Sequence, residues 1–164
     1  MKSGEGAMTA AIPASSIEEN SGTRYPPPHD AVCKDRAWRA LGDAFGLIRF
    51  GVNLVRLEPG VWSSQRHWHA LEDEFVYVLE GTPTLVTDAG EQVLGPGDCA
   101  GFPAGVKDGH CLKNLSDETV LFLVVGSRDP EDHGEYSDID MKFLPGRKAR
   151  PGSSGYVRKD GSPL

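Results

Sequence analysis

The chain has 164 residues, the length of a single domain. Its 20 glycines and 12 prolines disfavour helix interiors, which argues against a helical bundle. Its net charge of −7 argues against nucleic acid and acidic membrane surfaces as partners, since like charges repel. Residues 1–46 form an N-terminal arm, polar and proline-rich through Tyr25-Pro26-Pro27-Pro28. Within it Trp38, Leu41 and Phe45, spaced by three and four, predict a short helix. These apolar side chains imply that the arm packs on the rest of the chain or across the partner in a homodimer.

From Leu47 the period changes to two, with Ile48, Phe50, Val52 and Leu54 alternating against Leu47, Arg49, Gly51, Asn53 and Val55. Short strands are predicted at 75–80, 84–87, 91–94, 99–102, 110–115 and 119–126. Turn signals separate them, among them Glu58-Pro59-Gly60, Gly81-Thr82-Pro83, Asp88-Ala89-Gly90 and Gly95-Pro96-Gly97. Regular short strands without intervening helices predict an all-β sandwich or barrel over residues 47–127. Gly60, Gly81 and Gly97 fall at strand ends, where turns favour residues that tolerate positive φ. Beyond residue 127, six acids from Asp129 to Asp140, with Asp132 among them, precede six bases that include Arg147, Lys148 and Arg150. Residues 128–164 therefore read as a solvated acidic loop and a C-terminal extension packed on the surface.

The three cysteines, Cys33, Cys99 and Cys111, have no CxxC spacing and cannot all pair within one chain. Reduced thiols in the cytoplasm are expected. The first six residues lack the apolar run of a secretory signal, and Val120 to Val125 is far shorter than the ~20 residues that span a bilayer.

Three of the five histidines, His67, His69 and His110, lie in the strand-rich region. His67 and His69 are two apart, so an extended strand projects both rings to one face. Glu74 follows at an odd offset, and a turn over Ala70-Leu71-Glu72-Asp73 is needed to restore its face. His110 joins from another strand. Three imidazoles and one carboxylate suit a divalent transition metal (Zn, Mn, Fe, Co or Ni) and leave positions open for water or a small molecule.

These residues belong to a longer pattern, Gly60-x6-His67-x-His69-x4-Glu74-x6-Gly81, then Gly97-x5-Pro103-x-Gly105-x4-His110-x3-Asn114. It resembles the two motifs of the cupin superfamily, with one extra residue before His67 and two before His110. The resemblance implies a double-stranded β-helix, or jelly-roll barrel, and implies that His67, His69, Glu74 and His110 are its metal ligands. In the longer turn Val106-Lys107-Asp108-Gly109, Gly109 is expected to absorb the altered backbone path. The stretch around Pro103–Gly105 and the ending Tyr156 to Leu164 also resemble a group of small single-domain bacterial cupins. Some of that group carry the name sugar-phosphate isomerase, so the resemblance implies a fold and a site but not a substrate.

Gln65 shares parity with His67, and Asn114 with His110, so both are substrate-binding candidates, as is Tyr77 on the strand after Glu74. Parity alone leaves open whether Tyr77 and Phe75 or Val76 and Val78 face inward. Glu72 and Asp73 are candidates to orient a histidine, and Arg49, Arg56, Arg66 and Lys107 to clamp a phosphate. No catalytic acid or base is identified. An open metal site suits an isomerase, dioxygenase or decarboxylase acting on a small sugar, keto acid or diol. The alternative is a non-catalytic small-ligand-binding domain. A storage role needs no intact metal tetrad.

Overall fold

The computed structural model describes residues 10–146 and 155–164, and in it the period-two stretches form antiparallel strands. The arm supplies β1 (Asn20–Ser21), β2 (Ala37–Ala40) and a one-turn helix α1 (Leu41–Ala44). Then come β3 (Phe50–Leu57), β4 (Glu74–Glu80), β5 (Thr84–Thr87), β6 (Gly90–Val93), β7 (Cys99–Phe102), β8 (Cys111–Lys113) and β9 (Val120–Ser127). The C-terminal segment adds β10 (Gly134–Glu135), β11 (Lys142–Phe143) and β12 (Tyr156–Val157). One sheet has the order β1-β2-β3-β9-β4-β7, a second β6-β5-β8, and a third, small one β10-β11-β12.

Alternation decides what each strand buries. On β4, Glu74, Val76 and Val78 point inward while Phe75, Tyr77 and Leu79 are exposed. On β3 the inward set ends in Val55 and Leu57, and on β9 it is Val120, Phe122 and Val124. These meet Leu85 of β5 and Leu112 of β8 in the core between the two larger sheets. Each fully buried Val or Phe contributes roughly 1.5–3 kcal/mol, so this layer holds the jelly roll together. Gly81 permits the tight return after β4: its φ is +74°, and a Cβ there would stand 2.6 Å from the Thr119 carbonyl oxygen.

The arm differs from its helical expectation. Trp38 lies in β2, paired with Val55, and packs on the core rather than along a helix with Leu41 and Phe45. Gly42 makes the close approach possible, because a Cβ there would meet the Val52 nitrogen at 2.9 Å. The C-terminal segment also differs from a solvated loop. Tyr136, Met141 and Phe143 are buried together, and Tyr25 and Tyr156 pack against them. The tail bases Arg147, Lys148 and Arg150 and residues 1–9 of the arm lie outside the described residues. Among the described residues, no helix is long and apolar enough to cross a membrane.

Candidate metal centre

The histidine segment, 61–69, is an irregular strand clamped on both sides by backbone hydrogen bonds. On one side Ser63 N donates to Leu112 O at 2.8 Å, and His67 and His110 exchange N–H···O bonds of 3.2 and 2.9 Å. Such a mutually bonded antiparallel pair projects both side chains to one face. On the other side Trp68 N donates to Glu135 O at 3.2 Å and Ser137 N to Arg66 O at 2.9 Å. The Arg66 side chain adds a two-pronged bond to Asp138, at 3.0 and 2.8 Å, and another to Asp88 at 2.6 Å. Gly109 is closely packed here: a Cβ there would lie 3.1 Å from Ser137 Cβ and 3.3 Å from His67 N, and the Ser137 hydroxyl would have to rotate away. Its φ is not positive, so close approach rather than an unusual backbone path selects the glycine.

After His69 the chain leaves strand geometry through 70–73 and re-enters it as β4 at Glu74, which restores the inward face that the odd offset had denied. Four side chains then converge. His67 Nε2 and His69 Nε2 are 3.1 Å apart, and they lie 3.9 and 3.5 Å from Glu74 Oε2. His110 Nε2 lies 2.9 Å from the same oxygen. His67, His69 and Glu74 present ligand atoms within 4.8 Å of one another, and His110 joins them through its contact with Glu74.

Proton placement tests whether this set fits a cation. His67 Nδ1 lies 2.9 Å from the Gln65 carbonyl, which only accepts, so that nitrogen carries the proton. His69 Nδ1 lies 2.6 Å from Asp132 Oδ2 and likewise carries one. Both Nε2 atoms therefore present lone pairs toward each other and toward a carboxylate. Acceptors packed so closely repel, and a shared cation among them removes the repulsion, so the donor set fits a divalent metal. His110 is held differently: its ring stacks on Phe102 with centroids 3.6 Å apart and planes 2° from parallel, and its buried Nδ1 has no hydrogen-bond partner.

Electrostatics favour the ligating protonation states of His67 and Glu74, whereas His110 Nε2 donates to Glu74 and would give up that proton to ligate. Burial, reinforced by the neighbouring His69 and His110 rings, holds His67 well below the usual 6.5, so it stays neutral. Burial alone would raise Glu74. The hydrogen bond from His110 and the adjacent His69 and His67 outweigh it and hold the carboxyl well below its ordinary range.

The centre opens onto a cavity of about 600 Å³ between the large sheet and the arm. Ser63, Ser64, Asn53, Trp38 and Val124 line it, with Arg24, Tyr25 and Arg36 from the arm and Tyr136 and Tyr156 from the C-terminal segment. None of the three substrate-binding candidates lines it. Tyr77 is exposed on the outer sheet face, since Glu74 commits Val76 and Val78 to the inside. Gln65 donates its amide to the His29 carbonyl at 2.8 Å. Asn114 is fully buried and structural, donating to Leu57 O and Glu118 O at 2.9 and 2.7 Å. Of the two flanking acids, Glu72 stands 3.7 Å from His69 Nδ1, whereas Asp73 accepts from Ala104 N at 2.8 Å.

Asp132 was the residue missed. It is 6% exposed, bonds His69, and accepts from Leu71 N at 3.0 Å. Within an acidic run it carries no signal of its own. Tyr136 was missed as well; its ring lies 5.7 Å from that of His67.

The Cupin domain family model matches residues 53–126. A crystal structure named sugar phosphate isomerase from a cupin superfamily, from Silicibacter pomeroyi, shares 48% identity over 94% of this chain and 96% of that one, with a TM-score of 0.84. Another from Acidithiobacillus ferrooxidans, named as a candidate sugar phosphate isomerase, shares 36% identity over 68% of this chain and 72% of that one, with a TM-score of 0.65. A polyketide cyclase of Streptomyces resistomycificus, at 23% identity over 88% and 95% of the two chains, shares the fold with a TM-score of 0.64. No curated protein matches the chain.

Proposed function

The chain belongs to the cupin superfamily, and from that premise we propose that it is a metal-dependent isomerase of a small sugar phosphate. The observation that carries the reading is the convergence of His67, His69, Glu74 and His110 at a cavity lined by both polar and apolar side chains. The relative at 48% identity, named a sugar phosphate isomerase, supports the reaction class. A divalent transition metal (Zn, Mn, Fe or Ni) in this set would supply a Lewis acid for a carbonyl or hydroxyl oxygen.

The chain's own residues do the rest. Ser63 and Ser64 offer hydroxyls to the sugar. Tyr25 and Tyr136 are hydrogen-bonded phenols on the same wall as His67, and burial pushes Tyr25 far up, so it stays a proton donor. Aldose–ketose isomerisation moves one hydrogen between neighbouring carbons and one proton between the oxygens they carry, and Tyr136 is the phenol we assign to the oxygen-bound proton, because its ring packs on His67. The reading includes a cytoplasmic homodimer. The free thiols of Cys33 and Cys111 are buried, and burial pushes them up to about 12 and about 11, so both stay protonated.

Elemental analysis of the purified protein, compared with His69→Ala, tests the centre: about one transition metal per chain is expected, lost in the variant. Aldose and ketose phosphates are then followed by NMR for interconversion. A metal-loaded protein that binds sugar phosphates without converting them would make the chain a ligand-binding domain instead. Absence of any transition metal would remove the proposal.

A further inference from the structure

A phosphate needs a cation inside the cavity, and the bases singled out in the sequence are not there. Arg56 is paired with Glu19 and Glu58, Arg66 with Asp138 and Asp88, and Lys107 stands over the Trp68 ring. Arg49 does not line the cavity. Arg24, Arg36 and Arg128 do. Arg128 is already bonded to Asp43 and to the Leu47 carbonyl.

Arg36 is arranged differently. Its Nη1 donates to the Ser63 carbonyl at 2.8 Å, which tethers it to the strand that carries His67 and His69. Its guanidinium stands over the Trp38 ring, 5.0 Å from the centroid, which fixes its plane. Its Nε is buried without a hydrogen-bond partner. Among the described residues no carboxylate lies within ion-pair distance of it. A guanidinium carries five N–H donors in a rigid fork and cannot shed its charge. Half-buried in the cavity wall with a neutral carbonyl as its hydrogen-bond partner, Arg36 has no counter-ion among the described residues, and an anion entering the cavity would supply one.

We infer that Arg36 is the anion anchor of the cavity, holding the phosphate of a substrate whose sugar end reaches His67, His69, Glu74 and His110. The inference rests on the sugar-phosphate reading and adds to it the residue that selects phosphorylated over neutral sugars. A fixed, planar fork matches two phosphate oxygens at once, which a lysine's point charge does not. Ser63 links the two ends: its carbonyl holds Arg36, and four residues on lies His67.

The test is calorimetric titration of the metal-loaded protein with inorganic phosphate and, separately, with a neutral pentose. Arg36→Met should weaken phosphate binding roughly tenfold to a hundredfold, the range for a charged hydrogen-bonded contact. Pentose affinity and metal content should stay as in the unaltered protein. Arg36→Lys keeps a cation near Ser63 and should show an intermediate loss. If Arg36→Met fails to fold, NMR of the unaltered protein decides, since phosphate should shift the Arg36 Nε–H resonance. Unchanged phosphate affinity in Arg36→Met, equal loss of pentose and phosphate binding, or an unmoved Nε–H resonance would overturn the inference. Metal-depleted His69→Ala should still bind phosphate through Arg36. A failed metal reading and a failed anchor thus give different results.

Discussion

His69 shows how one buried carboxylate sets up a ligand. Its ring reaches the centre through Nε2, and its Nδ1–H donates to Asp132 Oδ2 at 2.6 Å. That contact fixes the tautomer, fixes the ring plane and makes Nε2 more electron-rich. Asp132 is itself held by the Leu71 N–H, so the pair is rigid before any metal arrives. Asp132→Asn keeps the shape but removes the charge, and it should weaken metal affinity roughly tenfold to a hundredfold, the usual effect of losing such a partner. Competition against a chelating dye measures it directly. Unaltered affinity would mean that Asp132 merely closes the loop at Leu71.

At the scale of elements, the C-terminal strap is what the jelly roll alone lacks. β10 runs beside the histidine segment, and Tyr136 and Phe143 pack against the rings of His67 and His69. Gly134 is the tightest point: a Cβ there would lie 1.9 Å from the Trp68 carbonyl oxygen and 2.7 Å from the Phe143 ring. Gly134→Ala should therefore destabilise the protein by about 1–3 kcal/mol or more, the cost of overpacking, and loosen the strap over the centre. Thermal unfolding and the rate of metal loss to a chelator should both report it. This element also shows what the sequence could reveal. The HxH pair was legible because strand parity is a local property, whereas Glu74, at an odd offset, and His110, on another strand, were legible only through the resemblance to the cupin motifs. Tyr77 could have been placed as well, since an inward Glu74 commits Val76 and Val78 inward and Tyr77 outward. Gln65 failed because parity holds on a regular strand, and the segment at 61–69 is irregular. Asp132, Tyr136 and Arg36 reach the site through folding back of distant segments that have no periodicity of their own, so nothing local marks them.

On the whole molecule, the same alternation that points Glu74 into the cavity leaves an apolar outer face on the large sheet. Val52, Val125 and Phe75 form one cross-strand row, and Leu54, Leu123 and Tyr77 the next. Phe75 and Tyr77 are 42% and 39% exposed. The central strands of such a sheet present on the order of 25 by 25 Å, comparable with the ~800 Å² per partner of a stable interface. Two copies related by a two-fold axis can bury the same face against itself, which is the commonest way to close a homodimer. The protein should therefore elute at twice the chain mass in light-scattering chromatography. Tyr77→Glu or Leu123→Glu would place carboxylates in the middle of the buried face with no cation opposite, and should shift the mass to one chain at micromolar concentration. Neither residue touches the centre, so metal content should be unchanged in both variants. A single-chain mass for the unaltered protein on concentration would show that this face serves something other than a second copy.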